Sequence, residues 1–176
     1  GLAVLPRGGG TSQCGQTVHN AVVIDASRHL NSILKLDVEA RRCVVEPGIV
    51  LDELNRQLKP HGLWFPVDVS TSSRATIGGM AGNNSCGGRS IRYGMMRDNV
   101  TAIEAIMSDG TKAWFGDIAG TAPNGLLAEL QPRLLAIGEA HRQVILDGFP
   151  KVLRRVGGYN VDALMPDAMA LRPGGK

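Results

Sequence analysis

Two glycine-rich runs constrain this chain more than anything else in it. The first, Pro6-Arg-Gly-Gly-Gly-Thr-Ser12, follows the apolar stretch Leu2-Ala-Val-Leu5. The second occupies residues 66–88 and contains Thr76-Ile-Gly-Gly-Met-Ala-Gly-Asn-Asn-Ser85. A glycine held in ordered structure gives up more backbone freedom than alanine, about 0.5–1 kcal/mol each. Gly8, Gly9 and Gly10 in succession therefore burden a fold unless the loop has a task. A strand ending in such a loop offers consecutive amide N–H groups with no Cβ in the way, which makes an anion-binding concavity. Thr11 and Ser12 add hydroxyls, and Arg7 adds a cation. Taken alone, the first run also reads as a flexible surface turn. Its recurrence some sixty positions later points instead to one elongated polar ligand, a dinucleotide, gripped at two places.

The second run reads as the opening of a short helix, with Thr76 as N-cap and Gly78 and Gly79 in the first turn. Asn83, Asn84 and Ser85 supply donors and acceptors suited to the edge of a ring system. Neither run is a G-x-G-x-x-G fingerprint in a βαβ setting, and neither is followed by the Gly-Lys-Ser/Thr of a phosphate-binding P-loop.

The scaffold between and beyond the runs is legible from periodicity. Ala21–Asp25, Ser32–Leu36 and Cys43–Glu46 read as short strands rich in β-branched residues, with a polar turn over 37–42. Leu51, Leu54 and Leu58 recur at helical spacing, so the sequence predicts a helix over 50–59, stopped near Gly62. That leucine stripe is core. Val100–Met107 and Thr111–Phe115 read as strands joined by an Asp109-Gly110 hairpin turn. A last helix is expected over 132–146, with Pro132 at its first position. Successive strands in hairpin relation, with helices outside, indicate an α+β fold.

In order, Pro6–Ser12, Pro66 with Asp68, Thr76-Ile-Gly-Gly79 with Asn83, Arg92-Tyr-Gly94 and Asp109-Gly110 closely resemble FAD-linked oxidases of the vanillyl-alcohol oxidase / p-cresol methylhydroxylase type. Within them the chain is most similar to the branch of the glycolate oxidase flavoprotein subunit, D-lactate dehydrogenase and D-2-hydroxyglutarate dehydrogenase. The resemblance runs from residue 2 to about residue 165. It implies an FAD-binding domain made of a small α/β subdomain and an antiparallel sheet subdomain with flanking helices. It implies that Arg7, Gly8, Gly9, Gly10, Thr11 and Ser12 hold the FAD pyrophosphate. It implies that Pro66, Asp68, Thr76, Ile77, Gly78, Gly79 and Asn83 line the path toward the isoalloxazine. Relatives that attach flavin covalently often carry His just after the first glycine run; here Thr11 stands there, so FAD is expected to be non-covalent.

The chain departs from that family at both ends. It starts directly in the strand that feeds the first loop, and after Arg154–Leu164 it closes with Met169–Lys176 where a further glycine-rich segment is expected. It therefore reads as a truncated FAD-binding domain: 1–12 the end of the first subdomain and its pyrophosphate loop, 13–165 the second subdomain, 166–176 a tail. The resemblance implies a parent that oxidises a small D-2-hydroxy acid by hydride transfer to flavin and passes electrons to a separate acceptor. The substrate base and carboxylate clamp would lie in the absent cap domain, so no catalytic residue is nominated. Arg89, Arg92 and Arg97 read as solvated or phosphate-facing. The fragment alone is expected to bind FAD weakly or not at all, to lack turnover, and to self-associate through uncovered apolar surface. The alternatives are a non-catalytic remnant that folds without flavin and serves as an interaction module, and a binder of some other nucleotide.

Composition narrows the remaining classes. The 176 residues, 43% hydrophobic, suit one domain able to bury about 70% of its unfolded surface. The formal charge of +3 is carried by scattered rather than striped basic residues, with two Trp and two Tyr, which argues against nucleic-acid binding. No apolar run approaches the roughly 20 residues of a membrane span. Cys14, Cys43 and Cys86 are isolated, with no C-x-x-C spacing, which argues against a disulfide framework and a metal site and for a reducing, cytoplasmic setting. Cys14 with His19 lacks the orienting partner a hydrolase needs, and His141 reads as a solvated helix residue.

Overall fold

The computed structural model describes residues 1–116, 122–152, 159–165 and 167, and the chain divides into two compact units, 1–100 and 101–176. Strand β1, Val4–Arg7, opens the first unit and pairs with β2, Val22–Asp25. The pair is parallel, not a hairpin: Val4 faces Val22 and Arg7 faces Asp25. The connection over 8–21 contains the first glycine run and no helix. Strand β3, Ile33–Asp37, and β4, Arg42–Val45, form the expected antiparallel hairpin, with a register shift between Ile33 and Lys35. The turn between them closes on the Asp37 carboxylate, which accepts the Ala40 N–H at 2.8 Å.

The leucine-spaced helix is present as α1, Leu51–Leu58, followed by a 3-10 turn, Lys59–His61. Gly62 ends it at φ 69°, a left-handed conformation that glycine adopts without a Cβ clash. Leu51, Leu54 and Leu58 all turn inward and pack with Ile49, Val67, Ala75, Ile77, Met80 and Met96 as the core of this unit. Three short helices follow the core: α2, Ile77–Gly82, α3, Ser90–Tyr93, and α4, Met96–Asn99. Thr76 caps α2 as the sequence predicts.

In the second unit β5, Ala102–Ile106, and β6, Lys112–Gly116, make the antiparallel hairpin around the Asp109-Gly110 turn. Gly110 sits at φ 84°, and Asp109 Oδ1 accepts the Thr111 N–H at 2.9 Å. The expected last helix is longer and broken. Helix α5 runs from Gly125 to Ala140 and α6 from Arg142 to Gly148, parted at His141. Pro132 therefore lies inside α5, not at its first position. A proline there removes one amide donor and crowds the preceding turn. The real start is fixed elsewhere: the Leu126 N–H donates to Asp109 Oδ2 at 3.0 Å, tying the helix to the hairpin turn. Of the 154–164 segment read from the sequence, only 159–164 is described, with a 3-10 turn at Val161–Leu164. The 169–176 closing stretch lies outside the described residues.

Candidate functional site

The two glycine runs meet at Thr76. Where β1 ends, Gly8 and Gly9 lie directly against the segment 74–76. A Cβ on Gly8 would occupy the place of Thr76 Oγ1, and one on Gly9 would overlap the Arg74 carbonyl oxygen. Thr76 itself is 1% exposed, and its Oγ1 accepts the Gly79 N–H at 3.4 Å, a long bond. One buried hydroxyl thus touches both runs.

The second run is in turn strung along the start of α1. Leu51 N–H donates to Ala75 O at 3.0 Å, Ile77 N–H to Ile49 O at 2.9 Å and Gly78 N–H to Pro47 O at 2.7 Å. These bonds explain Gly78, whose added Cβ would sit 2.5 Å from the Pro47 Cβ. They also place Ile77, which is 8% exposed, with its side chain in the core. A ligand can meet Ile77 only through backbone.

Farther along, Val67 is fully buried and anchors Pro66 and Asp68, both half-buried. The Asp68 backbone carbonyl packs so closely on Gly87 that no Cβ fits there. Its carboxylate Oδ1 accepts the Arg89 N–H at 2.9 Å. Asp68 therefore pins the 87–89 loop, a structural task that the sequence alone does not show. Asn83 is exposed, its amide nitrogen donating to Ser85 Oγ at 3.3 Å. Asn84 takes a left-handed φ of 46° and accepts the Arg97 N–H at 3.1 Å.

In the first run, Gly10 is exposed at φ 65°, with the Arg7 guanidinium folded back to 3.0 Å from where its Cβ would stand. Thr11 is half-buried; the exposed Ser12 hydroxyl donates to Gln16 Oε1. Asp25 lies opposite Arg7 in the β1–β2 ladder. Its carboxyl is held below the ordinary carboxylate value, first by the Ser27 hydroxyl, then by the Ser27 amide, with Arg7 and Arg28 adding to both.

The glycines of the two runs now divide into two groups. Gly8, Gly9, Gly78 and Gly87 are required by the chain's own packing, and Gly10 by its left-handed φ of 65°. Gly79, Gly82 and Gly88 are not: a Cβ at Gly82 would meet nothing, one at Gly79 only Thr76 Oγ1 at 3.1 Å, one at Gly88 only Asp68 Oδ2 at 3.8 Å. Small residues that the fold does not need mark a face left clear for something else. Sequence reasoning nominated Gly79 but not Gly82 or Gly88, and it missed Thr76 as the bridge, and Pro47 and the Arg74 carbonyl as the surfaces that demand glycine.

The sequence pattern of the FAD binding domain family matches residues 1–116, the span that contains both runs. The chain belongs to that family. It is 37% identical to D-2-hydroxyglutarate dehydrogenase of Pantoea ananatis, over 96% of this chain and 17% of that protein. It is 36% identical to glycolate oxidase subunit GlcD of Bacillus subtilis, over 62% of this chain and 23% of that protein. Among solved structures, an alkyldihydroxyacetonephosphate synthase superposes with a TM-score of 0.58 at 25% identity, covering 68% of this chain and 24% of that one. The chain thus spans less than a quarter of the length of these relatives. The α+β fold is that of this oxidase type, and the cofactor of the domain is FAD. The open glycine face and the Arg7–Ser12 loop beside it suit that group: a flat ring can approach bare backbone, and a diphosphate can meet a cation and free amides.

Proposed function

We propose that this chain is the FAD-holding part of an oxidoreductase that oxidises a small D-2-hydroxy acid of the glycolate, D-lactate or D-2-hydroxyglutarate kind. The observation that carries the reading is the convergence of both glycine runs on Thr76, beside glycines that the packing leaves unexplained. Arg7, Gly8, Gly9, Gly10, Thr11 and Ser12 take the pyrophosphate. Pro66, Asp68, Thr76, Ile77, Gly78, Gly79 and Asn83 form the wall toward the ring, with Thr76 and Ile77 acting through position and backbone. When bound, the flavin is the acceptor of the hydride from the carbinol carbon. The chain's own residues bind and orient it; the base and the carboxylate clamp belong to other segments of the parent. Thr11 after the first run supports non-covalent attachment.

In this reading residues 1–12 close the first subdomain, 13–165 form the second and 166–176 a tail. The electrons leave to a separate acceptor. The three cysteines are free thiols, which supports a reducing, cytoplasmic setting. No helix among the described residues is long and apolar enough to cross a membrane. The β1–β2 pair leaves Val4, Val22, Val23 and Ile24 about half exposed, unusual for a parallel sheet, and this supports self-association of the isolated chain.

The test is a thermal-shift titration with FAD, with ADP and an unrelated nucleotide as competitors, on the chain and on Gly79→Ala. A partial site should hold FAD weakly, so any rise in Tm should need FAD in large excess, and Gly79→Ala should fold normally while losing most of that rise. Tight stoichiometric FAD binding would overturn the weak site expected of the isolated chain, and a rise left unchanged in Gly79→Ala would refute the assignment of this face.

A further inference from the structure

Beyond the flavin site, the loop that Asp68 pins carries a second feature. Trp64 and Tyr93 meet edge to face, ring centroids 5.3 Å apart at 87°. The Arg89 guanidinium lies 5.2 Å from the Trp64 ring centroid, and that of Arg92 lies 5.3 Å from the Tyr93 ring centroid. The group is on the surface: Trp64 is 43% exposed, Tyr93 38%, and Ile91 between the arginines 76%. Neither Arg89 nor Arg92 makes an ion pair among the described residues.

The platform is held firmly from below. Asp68 Oδ1 accepts the Arg89 N–H at 2.9 Å, and Asn99 Nδ2 donates to Tyr93 O at 2.8 Å and to Met95 O at 2.9 Å. Stacking on a ring fixes a guanidinium plane while leaving its N–H groups free to bond a carboxylate in pairs. Trp, Tyr and Arg together are also the residues that dominate binding energy where proteins meet.

From this arrangement we propose that the Trp64–Arg89–Ile91–Arg92–Tyr93 surface docks an acidic polypeptide segment, one that sets carboxylates against the two guanidiniums and an apolar side chain against Ile91 and the rings. Size decides for a polypeptide over a small carboxylate. Small ligands are held in concave sites that cover most of their surface. An exposed ion pair alone contributes about 0–1 kcal/mol, so affinity here requires the rings and Ile91 to be covered, which a chain can do and an isolated anion cannot. The proposal does not depend on flavin binding.

The experiment uses the full 176-residue chain and a fluorescein-labelled peptide of alternating glutamate and leucine, read by anisotropy, with glutarate as competitor. The double variant Arg89→Glu/Arg92→Glu should weaken binding by about tenfold or more, as loss of a hot spot does. The same charge change at the exposed Lys35 and Lys59 should shift it by no more than about twofold, as screened surface charges do. Trp64→Ala should also weaken it. Should the charge reversal disturb folding by circular dichroism, Arg89→Gln/Arg92→Gln carries the same expectation. Equal losses in the two double variants would overturn the proposal, as would displacement by glutarate at concentrations similar to the unlabelled peptide.

Discussion

Replacing Gly9 and Gly79 separately by alanine tests whether packing or ligand explains each glycine. At Gly9 the new Cβ overlaps the Arg74 carbonyl oxygen and comes to 2.9 Å from its carbon and 3.5 Å from Ala75 Cα. That segment cannot swing aside as a side chain would. Arg74 and Ala75 both donate their amides to Thr71 O at 2.8 Å, and Ala75 O accepts from Leu51 at 3.0 Å. Forcing a methyl into such a place costs about 1–3 kcal/mol. For a unit of roughly 100 residues each kcal/mol moves the Tm by about 4–8 °C, so Gly9→Ala should lower it by about 4–24 °C. At Gly79 the methyl meets only Thr76 Oγ1 at 3.1 Å, on an exposed helical position. Alanine there gains about 1 kcal/mol of helix propensity, which offsets the small shift the hydroxyl must make. The Tm should stay level or rise slightly. Thermal unfolding followed by circular dichroism reads both. A neutral Gly9→Ala paired with a destabilised Gly79→Ala would show that the division of the glycines is wrong.

Leu54, 1% exposed at the middle of the core, should cost about 2–5 kcal/mol on truncation to alanine, measured by urea unfolding. Glu53 is held down to about 2, first by the hydrogen bond from Arg56, then by that from Gln57. Because its folded pKa lies below the unfolded value of about 4.3, its contribution is present above that value and is lost as pH falls toward about 2. Glu53→Gln should flatten the pH dependence of Tm in that window and, because the contribution is fully present above it, lower the Tm slightly at neutral pH. Burial raises the Cys43 thiol above its usual value, whereas Cys14 is exposed. Peptide mapping after brief alkylation near neutral pH should therefore find Cys14 labelled well before Cys43.

What the linear sequence determined were the features that local chemistry dictates. The Leu51, Leu54 and Leu58 stripe, the Asp109-Gly110 turn, the Thr76 cap and the glycine runs each depend on residues a few positions apart, so their outcome is written in short windows. It also carried the family, because an ordered set of such windows is specific. Pro132 was misplaced because helix α5 starts from a bond between Leu126 and Asp109, partners 17 residues apart. The parallel pairing of β1 with β2, the collision of Gly8 with Thr76 and the hold of Asp68 on Arg89 are of the same kind. Such contacts exist only once distant segments have closed on one core, and tertiary packing alone could decide which glycines serve the fold and which leave a face open.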